Sequence, residues 1–229
     1  MVSKFSPPKM VIAVDGPSGA GKSTIARLAA KRLDFLYLDT GAMYRALTLK
    51  AIRKEIDCRT PAELTRLAHN TKIELENNPD GSIKVMLDNE DVSSAIRKPE
   101  ITRYVSDVAK VPGVRKEMLR LQREMGSKAS CVLDGRDIGT VVFPDADKKF
   151  FLDADFKERV MRRYRELKEK GENISLEDVS ADLKNRDTID SSRRCAPLKK
   201  AKDAIFVDST SMSIEEVVTK ILDEIKRDG

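Results

Sequence analysis

One octapeptide constrains this chain more than any other feature. Gly16-Pro17-Ser18-Gly19-Ala20-Gly21-Lys22-Ser23 fits GxxxxGK[ST]. It stands between a short apolar run, Met10–Val14 (MVIAV), and a helix-patterned segment, Ser23–Leu33 (STIARLAAKRL). That context, a strand ending in a glycine-rich turn that opens a helix, is what the pattern requires. Glycines let backbone N–H groups curl around phosphate oxygens without Cβ clashes, and the helix N-terminus adds partial positive charge. Lys22 is placed to reach β- and γ-phosphates, and the Ser23 hydroxyl to ligate Mg²⁺. Gly16, Pro17, Ser18, Gly19, Ala20, Gly21, Lys22, Ser23 and Thr24 are thus the expected cradle for ATP or GTP.

The rest of the chain fits a sheet built around such a loop. Phe35–Leu38, Cys131–Leu133, Lys149–Leu152 and Ala204–Val207 are further apolar runs, and all five runs are followed by Asp. None shows the alternation of a half-exposed strand, which suits strands buried on both faces of a parallel sheet. Helical periodicity over Ser23–Leu33, Met43–Lys54, Lys110–Met125, Lys157–Lys170 and Ile214–Arg227 supplies the crossovers. The expected fold is α/β: a P-loop three-layer architecture with a five-stranded parallel sheet. Ligands in such sheets gather at the carboxyl ends of the strands, where the five aspartates stand.

Two segments depart from that pattern. Thr71–Leu87 (TKIELENNPDGSIKVML) alternates apolar and charged residues around NNPDG, a hairpin signal. It predicts a small antiparallel insert over about 62–98. Residues of about 156–200 are rich in arginine and contain Ser175-Leu176-Glu177-Asp178, a helix start with an acidic third position. This segment is the expected Arg-bearing lid, leaving a core of about 9–61, 99–155 and 201–229.

Composition narrows the partners. Of 229 residues, 40% are hydrophobic and 35% charged, enough apolar material for a core without disulfides or structural metal. Cys58, Cys131 and Cys195 are odd in number and far apart, as in a reduced compartment. One histidine, His69, excludes His-cluster metal sites and a Ser-His-Asp triad. No apolar run approaches the roughly 20 residues that span a bilayer, and Met10–Val14 is too short for a signal-peptide core. A soluble cytoplasmic monomer is expected. The net charge of +5 suits polyphosphate substrates, and basic residues scattered among acids argue against nucleic acid.

The phosphate loop alone admits a GTPase, a motor or a small-molecule kinase. No N-K-x-D tetrad occurs to read guanine, and a motor needs a larger chain. A kinase for some small acceptor remains, with a nucleic-acid-linked ATPase as the alternative from another class. Asp39-Thr40-Gly41-Ala42-Met43-Tyr44-Arg45 follows the second run and Asp134-Gly135-Arg136-Asp137 the third. Arg186, Asp190 and Arg193 share a face if their stretch is helical. Asp134, ending an apolar strand, is a candidate Mg²⁺ ligand with Ser23, directly or through water. One or both of Arg159 and Arg163, at i and i+4, are expected to close over the ATP phosphates and exclude water.

GPSGAGKS, DTGAMYRA, DGRDIGTVVFPDA and RDTIDSSRRCAPL, in that order, resemble the signatures of the bacterial-type cytidylate kinases. The resemblance runs from about Met10 to about Glu216 and takes in the hairpin insert. It implies transfer of phosphate from ATP to CMP or dCMP. It implies phosphate contacts from Arg45, Arg136 and Arg193, base contacts from Ser106, Arg115 and Asp137, ribose contacts from Arg186 and Asp190, and a hydroxyl contact from Thr40. Lys22, Arg136 and Arg193, with the lid arginines, are then the catalytic electrophiles. The chemistry is coherent. Guanidinium forks bind phosphate bidentately, and a carboxylate accepts from the cytosine amino group but faces a second acceptor in uracil.

Overall fold

The structure is a computed structural model whose described residues are 9–227. The last two positions of the expected core fall outside those residues.

Five strands form one parallel sheet: β1 (Val11–Asp15), β2 (Leu36–Asp39), β6 (Cys131–Gly135), β7 (Lys148–Asp153) and β8 (Ile205–Asp208). Their order is β2-β6-β1-β7-β8, every pair parallel. The apolar runs predicted all five, each within one or two residues of its bounds. Both faces are covered, which is why the runs do not alternate. Ile12, Val14, Phe150, Leu152 and Val207 pack toward α1 (Lys22–Leu33) and α8 (Ile214–Lys226). Ala13, Leu38, Cys131 and Leu133 face the other way, against Leu119 and Met125 of α5 (Pro112–Gly126) and a π-helical turn, Ile138–Val142. Those are the three layers.

A second core joins α2 (Thr40–Arg53), α3 (Pro61–His69) and α4 (Pro99–Ala109) to α5 and to a small antiparallel sheet. That sheet is the predicted hairpin, β3 (Ile73–Asn77) with β4 (Ile83–Leu87), plus a two-residue strand, β5 (Glu90–Asp91), which the pattern did not reveal. Leu75 and Ile83 touch the main sheet's clusters as well as this one, so the insert is keyed to the core. The Arg-rich segment is a pair of helices, α6 (Phe156–Glu169) and α7 (Leu176–Ser192), with its own apolar cluster of Val160, Val179 and Leu183. Ser175 caps α7 by accepting from the Asp178 amide, as predicted. No helix among the described residues is long and apolar enough to cross a membrane.

The carboxyl ends of the strands line up. Asp39 lies level with Asp134, and Asp153 with Asp208, while Asp15 faces Gly135. The phosphate loop, the start of α2 and the turn after β6 all leave the sheet at this edge. α4, α6 and α7 close over it.

Candidate active site

A cavity of about 880 Å³ opens at that edge, near the upper size of ligand pockets. Ser18 to Thr24 line it, with Arg45, Ser106, Arg115, Arg136, Asp137, Arg186, Asp190 and Arg193, and Arg136 reaches the loop itself, donating to Ser18 Oγ at 2.9 Å. Thr40, Asp134 and Arg163 line it too. Gly16, Pro17 and Arg159 do not, and act from behind the wall.

The loop is shaped by close approach. A Cβ on Gly16 would fall 1.9 Å from the Leu152 carbonyl oxygen, so the chain crosses β7 only without a side chain. Gly21, at φ 88°, caps α1 in the left-handed region, which glycine adopts at no steric cost. The first turn of α1 has no acidic residue, whereas α6, α7 and α8 each begin with at least one. Its N-terminal positive charge is therefore left for an anion. Lys22 Nζ donates to Pro17 O at 2.6 Å within the loop. Burial, then the Arg136 guanidinium, pushes the Lys22 ammonium well below its usual range. An anion in the loop would oppose both effects.

Asp134 meets this loop from β6. Ser23 Oγ donates to its Oδ2 at 2.8 Å and Tyr37 Oη to its Oδ1 at 2.7 Å. Burial, then Asp39, raises the Asp134 carboxyl above its ordinary value. A hydroxyl and a carboxylate form an all-oxygen pair that suits a hard cation such as Mg²⁺. Among the described residues no group of three or more His, Cys, Asp or Glu could hold a metal. The pair thus fits a cation that takes its remaining ligands from phosphate and water.

Across the cavity an ion-pair chain links distant elements. Arg115 of α5 donates to Asp137 at 2.5 Å, and Arg193, capping α7, donates to the same carboxylate at 3.2 Å. Arg193 also lies 3.6 Å from Asp190, which pairs with Arg136 at 2.7 Å. Asp137, Arg115, Asp190 and Arg193 are all buried. Arg115 also lies 5.7 Å from the Tyr44 ring centroid, so Tyr44 has a cation to hold besides packing. Arg45 is oriented by Thr102 Oγ1 of α4 at 2.8 Å. Burial, then Arg186, lowers the Arg45 guanidinium to about 10. Burial, then Arg136, lowers Arg186 as well, and its buried Nε finds no hydrogen-bond partner among the described residues. Thr40 Oγ1 is committed to the Asp134 carbonyl at 2.7 Å, so its hydroxyl braces the wall.

The sequence left open whether Arg159, Arg163 or both face the ATP phosphates, and the structure places the two differently. Arg159 is buried behind the phosphate loop, donating to Ser18 O at 2.9 Å and to Asp187 at 2.5 Å. Asp187 in turn accepts from the Ser18 amide at 3.1 Å, which fastens α6 and α7 to the loop. Arg163 lines the cavity and pairs with Glu166 at 2.7 Å. The reason is helical: four residues along α6 move a side chain one turn outward, from the loop to the cavity mouth. Arg162 also lines the cavity and clasps Ser209, with donors 3.0 Å from its Oγ and 2.6 Å from its carbonyl. Sequence reasoning missed Tyr37, Thr102 and Asp187. It also assigned no role to Asp15, whose buried carboxylate accepts from the Ile138 and Gly139 amides at 2.8 Å each. The one available signal was Asp15's place at the end of a buried strand.

The model of the cytidylate kinase family matches residues 12–227. This chain belongs to the cytidylate kinase family. A cytidylate kinase from Bacillus velezensis is 48% identical over 219 residues, covering 96% of this chain and 97% of that protein. One from Clostridioides difficile is 50% identical over 216 residues, covering 94% and 98%. An uncharacterized protein from Eubacterium ventriosum shares the fold, with a TM-score of 0.50 at 12% identity, covering 95% of this chain and 99% of that one. The match to the cytidylate kinase model takes in every element that lines the cavity.

Proposed function

We propose that this chain transfers the γ-phosphoryl group of ATP to CMP or dCMP, releasing ADP and CDP or dCDP. Family membership carries the reaction class. One structural observation supports the placement of the acceptor: Arg45, Arg136 and Arg193 line the same cavity as the phosphate loop, and burial with repulsion from neighbouring arginines weakens the hold of Arg45 and Arg193 on their protons. Such a cluster is stabilised by an anion, and a nucleoside monophosphate brings a dianion. The buried Asp137 carboxylate beside Ser106 and Arg115 supports the cytosine end, with Asp190 and Arg186 nearer the ribose.

The attacking atom is an anionic phosphate oxygen, so no general base is required and none is assigned. Phosphoryl transfer has a loose transition state whose charge spreads over the moving group. Catalysis then consists of positioning and electrostatic stabilisation. Backbone amides from Gly19 to Ser23 and the Lys22 ammonium hold the donor phosphates; Arg136 and Arg193 hold the acceptor in line. Ser23 and Asp134 would hold Mg²⁺, which when bound neutralises oxygens of the β- and γ-phosphates. Arg159 and Asp187 keep the α6–α7 arm docked on the loop, and Arg162 and Arg163 stand where they exclude water.

Coupled ADP release with ATP and Mg²⁺ tests this reading. Turnover should require CMP or dCMP, with little from UMP or AMP. Equal rates with UMP would remove the base-reading role of Asp137. ATP turnover indifferent to all four acceptors would overturn the kinase assignment itself.

A further inference from the structure

The Asp134 carboxylate has two hydroxyl partners, one on each oxygen, and only Ser23 belongs to the phosphate loop. The other is Tyr37 Oη, at 2.7 Å from Oδ1. Tyr37 is 4% exposed, and its ring packs in the cluster beneath α1. Its backbone is held just as specifically. β2 is an edge strand of the parallel sheet, so one side of its backbone lacks a neighbouring strand. Asn77, the last residue of β3, takes that place. Its side-chain Oδ1 accepts from Tyr37 N at 2.9 Å, and its Nδ2 donates to Tyr37 O at 3.1 Å. A continuous chain of hydrogen bonds therefore runs from the antiparallel insert through Asn77, Tyr37 and Asp134 to Ser23, in the first turn of α1.

The chain has a consequence for orientation. With Tyr37 on Oδ1 and Ser23 on Oδ2, the carboxylate cannot rotate without breaking both bonds. A fixed Oδ2 fixes the direction of the Ser23 O–H. The proton points to Asp134 and the oxygen lone pairs are left for a cation. Partners of this kind, one bond removed from a metal ligand, set the ligand's orientation and basicity.

We propose that Tyr37 is a positioning residue for phosphoryl transfer, its hydroxyl fixing Asp134 and through it Ser23, with Asn77 anchoring Tyr37 from the insert. The inference rests on the reading of Ser23 and Asp134 as the magnesium-holding pair. It adds a requirement from outside the phosphate loop: the insert on the acceptor side helps set the donor side's cation site.

Titration calorimetry of ADP with and without Mg²⁺ tests it without turnover, on the parent protein, Tyr37→Phe and Asn77→Ala. The parent should bind ADP more tightly with Mg²⁺. Tyr37→Phe should bind Mg²⁺-free ADP like the parent but lose most of the Mg²⁺-dependent gain. In steady state its half-saturating Mg²⁺ concentration should rise about tenfold and kcat should fall, with the KM for CMP unchanged. Asn77→Ala should move the same quantities by about threefold, a smaller step because it acts through one more link. A parent protein with no Mg²⁺ gain would overturn the magnesium reading and this inference with it. A parent that gains while Tyr37→Phe keeps the full gain would overturn this inference alone. Should Tyr37→Phe fail to fold, Asn77→Ala decides: a reduced gain supports the relay, and an unchanged one removes it.

Discussion

Around the phosphate loop, the groups ready to meet charge are backbone amides from Gly19 to Ser23 and one ammonium, Lys22, whereas across the cavity they are side chains lent by α2, α4, α5, α7 and the turn after β6. The donor end is thus set by one local conformation, its sharpest constraint being the clash a Cβ on Gly16 would make with Leu152. The acceptor end is set by long-range ion pairs: Arg115 to Asp137, Asp137 to Arg193, Arg193 to Asp190 and Asp190 to Arg136. That chain joins three guanidiniums to two carboxylates and leaves one positive charge over. Its members are already desolvated before any nucleotide arrives. A buried carboxylate held by two arginines is pre-oriented for recognition, but losing it leaves Arg115 uncompensated and Arg193 with Asp190 alone. Chemistry at the first end and folding at the second should therefore respond differently to substitution.

The largest separation should come from Lys22→Ala. It removes the donor end's one side-chain cation, and kcat should fall by about a thousandfold, as for a lost electrostatic contact in a preorganised site. The melting temperature should stay near that of the parent, because Lys22 bonds only within its own loop. A large fall in melting temperature would break the contrast.

Asp137→Ala should do the reverse in part. It strands Arg115 and leaves Arg193 only its longer contact with Asp190, so unfolding free energy should drop by about 3 kcal/mol, read from urea melts. The value of kcat/KM for CMP should fall with it, while the KM for ATP changes little. Unchanged stability would mean that the ion pairs are loose and the acceptor end is not preorganised.

Asp15→Asn should give the smallest effect and sharpen the picture beneath the acceptor turn. Burial raises Asp15 to about 6, against the two amides from Ile138 and Gly139 that lower it; Asp137 raises it further and Lys22 lowers it. The folded state therefore holds this proton more tightly than the unfolded chain. Asp15's share of stability is full below about pH 4 and lost as pH rises through about 6, an effect on the order of 2 kcal/mol. The stability difference between Asp15→Asn and the parent should track that window. A difference constant from pH 4 to 7 would show that Asp15 is ionised throughout.

The same contrast explains what could be read without coordinates. The five strands were legible because burial on both faces leaves unbroken apolar runs such as Cys131–Leu133, and the loop was legible because it is contiguous. The helix α4 went unassigned, although Pro99 at its first turn and Ile101, Val105 and Val108 on one face mark it. Tyr37 carries no local mark of its role because its ring packs in the core; only the chain's return at β6 puts Asp134 against its hydroxyl. Arg159 and Arg163 are equivalent in spacing, and the difference between them is Asp187, from another helix. Residues whose roles depend on a partner distant in sequence carry no local mark.

The strand order also governs how the protein can come to exist. β1 sits at the centre of the sheet, yet both its neighbours, β6 and β7, lie beyond residue 130. During synthesis β1 and the phosphate loop wait with both edges open until more than a hundred further residues have been made. Pairings this distant are slow to close and leave unpaired edges exposed meanwhile. The strand that carries the part of the site simplest to read is therefore paired on both edges only once β6 and β7 have been made.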